Sequence, residues 1–151
     1  MRLMLIISSL LCFACVGQKG VSHDNDDSSE KDSIKLQLVL EDTYSGIERP
    51  EYQVVRDQKT LNSLFVQINK TRKPGIPIPE VNFKEEILLV YCAGTSSGVS
   101  SMEMVVAEES PDSITIVLKE RTSSQKELLN ATTTPIYIYR MPVTQKAINF
   151  Q

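Results

Sequence analysis

Tryptophan is absent from this chain, histidine occurs once, and aromatic residues make up only 6% of it. With so few rings available, the interior must be built mostly from Ile, Leu and Val. The single histidine, His23, stands well before the segments that carry hydrophobic periodicity. A serine or cysteine nucleophile in those segments therefore has no imidazole base on the same folded unit. The cysteines are three, Cys12, Cys15 and Cys92, and no Cys/His spacing suits a zinc site. Positive charge is not in surplus: 16 Lys and Arg face 19 Asp and Glu. A nucleic-acid surface needs clustered basic residues, so nucleic acid is not an expected partner. No apolar run reaches the roughly 20 residues that span a bilayer as a helix.

The chain does have a distinctive start. Arg2 precedes an apolar run over residues 3–13, broken only by Ser8 and Ser9. That length suits the hydrophobic region of a signal peptide. The run closes on Cys12-Phe13-Ala14-Cys15, with a small residue where a signal peptidase needs one. This ending resembles the lipobox of bacterial lipoproteins, with Cys12 standing where Leu or Val is usual. The resemblance implies a lipoprotein-type signal peptide over residues 1–14 and lipid on Cys15. It also implies a membrane anchor in the cell envelope, most simply at the outer membrane. Removing residues 1–14 takes away Arg2 and no acid, which leaves 15 basic and 19 acidic residues and a net charge of −4. Residues 16–33 hold almost no large apolar side chains and predict a disordered tether over residues 15–33. Its acids, Asp24, Asp26, Asp27 and Glu30, resemble the acid-rich segment behind the lipidated cysteine in surface lipoproteins of Bacteroidetes-type bacteria.

Residues 34–151 read as one β-rich domain, a size typical of a single fold. "IKLQLVL" alternates, with Ile34, Leu36, Leu38 and Leu40 on one side, as a half-buried strand does. "EYQVVRD" suggests a second strand. Asp57 can cap a helix near residues 58–69, in which Leu61, Leu64, Phe65 and Ile68 recur at helical spacing. Pro74, Pro77 and Pro79 stop that helix from continuing. From residue 86 onward the pattern is all β. "EILLVYCAG" is a continuous apolar run, "SSMEMVVAEE" and "SITIVLKERT" alternate, and "TPIYIYRM" sets Ile136 and Ile138 against Tyr137 and Tyr139. "AINF" ends the chain. The expected class is α+β, mainly β: about seven mostly antiparallel strands, in a sheet or small sandwich, with one packed helix. Cys92 continues the alternation of Leu88 and Val90 and reads as a small buried hydrophobe.

The order of these segments is itself informative. A helix precedes "VNFKEEILLVYCAG", a Gly/Ser loop and two strands follow, and "TTTPIYIYRMPVTQKAINF" closes the chain. Asn82-Phe83 leads into the apolar strand, Gly94 and Gly98 lie in the loop, and Thr133, Thr134, Pro135 and Tyr137 open the late strand. This arrangement resembles the C-terminal domain of the PrcB family, over about residues 52–150. PrcB is the lipoprotein subunit of a bacterial surface protease complex. The resemblance implies a non-catalytic module that binds or stabilises a protease or another envelope protein. The family often carries Gly-Gly-Tyr or Gly-Tyr after the loop, where this chain has Val99-Ser100-Ser101.

Gly94-Thr95-Ser96-Ser97-Gly98 is also a literal match to G-x-S-x-G. A nucleophile elbow needs a helix after the serine and a histidine later in the chain. Residues 100–107 alternate like a strand, and no histidine follows. A phosphate cradle fails too, since no Lys-Ser/Thr and no helix come next. No catalytic residue, metal or cofactor is expected. Gly94, Thr95, Ser96, Ser97, Gly98 and Ser100 are instead candidates for partner binding, because strand-connecting loops on a rigid scaffold often carry recognition. Tyr137 and Tyr139 are candidates to add an aromatic contact, or else to pack inward against the helix or a second sheet. The other reading is a lipoprotein that binds a small ligand, glycan or lipid in a pocket between helix and sheet. Asp32-Ser33-Ile34 and Asp112-Ser113-Ile114 resemble the O-glycosylation pattern of Bacteroidetes, which marks Ser33 and Ser113. Asn69 and Asn130 head N-glycosylation triplets.

Overall fold

The computed structural model describes residues 34–97, 101–121 and 131–151. In chain order the elements are β1 (Gln37–Asp42), β2 (Glu51–Val55), α1 (Gln58–Ile68), β3 (Glu86–Cys92), β4 (Ser96–Ser97), β5 (Met102–Glu109), β6 (Ser113–Glu120), β7 (Thr132–Thr133), β8 (Ile136–Pro142) and β9 (Ala147–Phe150). The expected α+β, mainly β class is what the chain adopts. The seven strands read from periodicity are present, and the two further ones, β4 and β7, are two residues each. The segments expected to be a signal peptide and a tether, together with Cys15, His23, Ser33 and Asn130, fall outside the described residues. Among those described, no helix is long and apolar enough to cross a membrane.

A four-stranded antiparallel sheet, ordered β1-β8-β3-β2, forms the middle layer. Its central strand β3 explains the continuous apolar run. Leu88, Val90 and Cys92 face one way and meet Leu61, Leu64, Phe65 and Ile68 of α1, with Val55, Ile136 and Ile138. Ile87 and Leu89 face the other way and meet Met104, Ile114, Ile116, Tyr137, Tyr139 and Met141. That second face is covered by a three-stranded sheet, ordered β5-β6-β9, in which β6 and β9 run parallel and the other pair antiparallel. A strand covered on both faces has no use for polar alternation. The arrangement is helix on sheet on sheet.

The helix forms where its capping residue allows. Asp57 is extended and accepts hydrogen bonds from the Thr60 backbone N–H at 2.8 Å and the Thr60 hydroxyl at 2.7 Å. Its carboxyl is held below the usual Asp range, first by that backbone hydrogen bond. After the helix, the Asn69 side chain takes both polar roles toward Ile76. It accepts from the Ile76 N–H at 2.7 Å and donates to the Ile76 carbonyl at 2.9 Å. The Asn69 amide is thus committed to closing this loop.

The first strand departs from its expected pattern. It begins at Gln37, and its pairing with β8 shifts register between Leu38 and Leu40. Ile34 and Leu36 pack toward the second sheet, while Val39 and Leu40 pack toward the helix. Leu38 is 37% exposed. The four apolar residues expected on one face are therefore divided by a bulge, which inserts one residue and turns the following side chains over.

Candidate interaction surface

The Gly/Ser segment leaves the end of β3 and is clamped from two sides. Gly94 has a φ of +71° and is buried. A Cβ there would come within 2.7 Å of the Pro50 ring and 2.9 Å of the Glu48 carbonyl oxygen, so only glycine fits. The next N–H, from Thr95, donates to that Glu48 carbonyl at 3.0 Å. Ser96 and Ser97 then pair antiparallel with Thr133 and Thr132. The Thr133 hydroxyl donates to the Ser96 carbonyl at 3.3 Å.

A buried polar knot anchors the base of this rim. The Ser45 hydroxyl donates to the Thr134 carbonyl at 2.8 Å, and the Thr134 hydroxyl accepts from the Ser45 and Gly46 N–H groups at 3.0 and 2.9 Å. Thr134 in turn donates its N–H to Thr43 at 3.0 Å, and Ala93 donates to Pro135 at 2.9 Å. Residues 43–50, 93–97 and 132–135 are thereby one hydrogen-bonded unit. What this unit presents outward is Thr95, Ser97 and Thr132, which are exposed, with Ser96 half-buried. These are small hydroxyl side chains on a fixed backbone. Such a set accepts and donates hydrogen bonds without losing much rotamer freedom.

The other expected contributors are placed differently. Gly98 and Ser100 fall outside the described residues. Gly94 is turned inward, so its part is to hold the rim. Tyr137 and Tyr139 are 2% and 3% exposed and lie in the core between the two sheets, so they offer no contact surface. Their positions follow from β8 being covered on both faces. Burial raises both phenol pKa values. The Tyr139 hydroxyl accepts a long contact from Arg121 at 3.5 Å, and Arg121 also meets Glu41 at 3.3 Å. Ser101 donates to the same Glu41 carboxylate at 2.7 Å. This polar network ties β1 of the middle sheet to the second sheet along one edge.

Ser96 does not stand in an elbow. It lies in a strand pair, and the next described element is strand β5. Cys92 is fully buried, and burial pushes its thiol up to about 12, so it stays protonated and unreactive at neutral pH. Among the described residues, no group of three His, Cys, Asp or Glu side chains is placed to hold a metal ion. Ser113, an expected glycosylation position, is half-buried and shares a 2.9 Å hydrogen bond with the Ser110 hydroxyl.

Two features were not anticipated. One is a row of stacked rings, Phe150–Tyr52–Tyr91–Tyr137, with centroid spacings of 4.6, 4.8 and 6.1 Å. The signal for it is the pairing of "EYQVV" with "LLVYC", which sets Tyr52 opposite Tyr91. Tyr52 is 40% exposed, and its ring stacks against both Tyr91 and Phe150. The other is Arg72, which pairs with Asp42, bonds the Tyr44 carbonyl and lies 5.8 Å from the centroid of the Tyr44 ring. Nothing in local periodicity connects residues so far apart in the chain.

In comparisons with known proteins, no family model, curated protein or solved structure matches this chain.

Proposed function

We propose that this protein is a non-catalytic, lipid-anchored interaction module of a bacterial envelope, which binds or stabilises a secreted or surface protease. The observation that carries this reading is the hydroxyl rim of Thr95, Ser97 and Thr132, held rigid by hydrogen bonds on both sides. A rigid polar rim suits recognition of a partner's backbone and polar side chains, because little entropy is lost on docking. The resemblance to the PrcB C-terminal domain supplies the kind of partner. The lipobox-like start supplies the anchor. Non-catalysis is supported by the lack of histidine after residue 23 and by the buried, protonated Cys92.

A ligand pocket between helix and sheet is less well supported. That interface is filled by Leu61, Leu64, Phe65 and Ile68 against β3 and β8. The groove of about 520 Å³ beside it is open and lined by polar residues such as Gln53, Lys59, Thr60 and Ser63. Small-molecule sites are more often concave and apolar.

Purification of the tagged full chain from its own membranes, in mild detergent, tests the reading. A protease recovered in fixed ratio is expected, and Thr95→Arg with Ser97→Arg should release it while the melting temperature stays within about 2 °C, since exposed substitutions are near neutral. No partner in fixed ratio from intact bait sinks the proposal. So does a partner that the two arginines leave in place.

A further inference from the structure

We propose that two copies of this chain pair through β2, antiparallel and edge to edge, joining their four-stranded sheets into one. The inference is independent of what the hydroxyl rim binds.

It begins from a difference between the two edges of the middle sheet. β1 carries a bulge, and the acids at its end are tied up by Arg72 and Arg121. Bulges and occupied charges are the usual protections against edge pairing. β2 has neither. Its register with β3 is regular through all five residues, and among the described strands it bonds to β3 alone. It contains no Lys and no Pro, and Tyr52, Val54 and Val55 favour extended backbone. Its outer edge offers donors and acceptors at strand spacing, which another extended backbone matches.

The faces of β2 select the register. Val54 lies in the core toward the second sheet, and Tyr52 stacks within that same layer. Val55 lies in the core toward the helix, and Glu51 and Gln53 share its face by alternation. A twofold axis perpendicular to the sheet keeps each face on its own side, so like-facing residues must oppose each other. Centring the axis on Gln53 meets this condition and uses the whole strand. Tyr52 then lies opposite Val54 of the second copy, Gln53 opposite Gln53, and Glu51 opposite Val55. Beyond the two strand ends, exposed Arg49 and exposed Asp57 of the second copy come near each other, twice by symmetry. The charges are complementary. The open groove between β2 and α1 leaves room for the approach on the helix side.

Disulfide trapping in membranes that carry the full chain tests the pairing. Directly opposed residues of antiparallel strands have Cα atoms about 4.5–5.5 Å apart, inside the range of about 4.4–6.8 Å that a disulfide bridges. The two copies of residue 51 would be roughly 13 Å apart, four residues of strand. After oxidation with copper–phenanthroline, Gln53→Cys should give a covalent dimer at least about tenfold more abundant than Glu51→Cys. The unsubstituted chain sets the background, and Cys92 is buried. Equal trapping at 51 and 53, trapping at neither, or capture of Gln53→Cys by a different protein each overturns the proposal. Should a variant not accumulate, sedimentation of the unsubstituted chain in mild detergent decides. Two copies per particle are expected, and one copy overturns the pairing.

Discussion

The two faces of the middle sheet are built from different chemistry. Toward the helix the core is aliphatic, with Phe65 its largest fully buried ring and, among the described residues, Cys92 its only sulfur-bearing member. Toward the second sheet it holds two tyrosines and two methionines among its buried residues, with Tyr91 and Phe150 at its margin. The difference follows from what covers each face. A helix lays a narrow apolar stripe on the sheet, and branched aliphatic side chains fill the space beneath it. A second sheet brings whole strands alongside, so a long tyrosine can lie in the layer and extend its hydroxyl to polar groups at the margin. Tyr139 does this toward Arg121.

The comparison can be tested by substitution. The largest effect is expected for Phe65→Ala on the helix face, about 3–5 kcal/mol lost in denaturant unfolding, from lost burial and the cavity left behind. Leu88→Ala and Leu89→Ala, neighbours that face opposite ways, should each cost about 2–5 kcal/mol. A nearly neutral Leu89→Ala would mean that the second sheet is loosely held and that the three-layer description is wrong.

At the rim, Gly94→Ala should cost about 2–4 kcal/mol, because left-handed backbone strain adds to overpacking against Pro50 and Glu48. Gly46 has a similar φ of +69°, but the nearest atom to an added Cβ is 4.0 Å away. Gly46→Ala should therefore cost only about 1–2 kcal/mol, the strain alone. Matched thermal melts read the difference, and equal costs would remove the clamp from the account of the rim.

A smaller effect separates the faces by pH. Burial raises Cys92 from 9.0 to about 12 on the helix face, and raises Tyr137 and Tyr139 on the other. Each group holds its proton more tightly when folded than when unfolded. Its contribution is complete below the unfolded value and is lost as pH rises through the folded one. Stability should fall from pH 9 upward. Cys92→Ala should flatten the part between about 9 and 12, and Tyr137→Phe should flatten a part that begins near 10. Unfolding curves at stepped alkaline pH check this, and an unchanged slope in Cys92→Ala would contradict its burial.

The smallest effect is at the helix start. Asp57 is held below its ordinary 3.8, so its contribution is complete above that value and fades as pH falls below it. Asp57→Ala should abolish that acid limb in helical circular dichroism and leave the alkaline one in place.

Much of this fold was legible because its signals are local. The helix and its cap could be read from Asp57 and the spacing of Leu61, Leu64, Phe65 and Ile68. Strand β3 could be read from an unbroken apolar run, and the inward direction of Cys92 from its place in the alternation. The split of the β1 alternation could not be read, because a bulge is set by pairing with β8, which lies about a hundred residues later. β4 and β7 escaped for a related reason. Two-residue strands have no period, and they exist because residues 96–97 and 132–133 are brought together by β3 and β8. For the candidate site, the segment was legible but the division of labour within it was not. Gly94 turned out to be the clamp and Thr95 and Ser97 the exposed face, a distinction made by Pro50 and Glu48. Tyr137 and Tyr139 had two open readings, and the second sheet closed one of them.

Composition, period and capping chemistry by themselves determined the element types, the central strand, the single helix and the lack of a histidine base for Ser96. Each depends on neighbours within a few residues, where backbone sterics and hydrophobic period act directly. Tertiary structure alone decided which face of each strand met which layer, which edge of the sheet stayed unprotected, and which hydroxyls reached the surface. Those outcomes depend on contacts between distant segments, and a backbone that would lie within 3 Å of any Cβ at position 94 leaves no trace in the residues beside it.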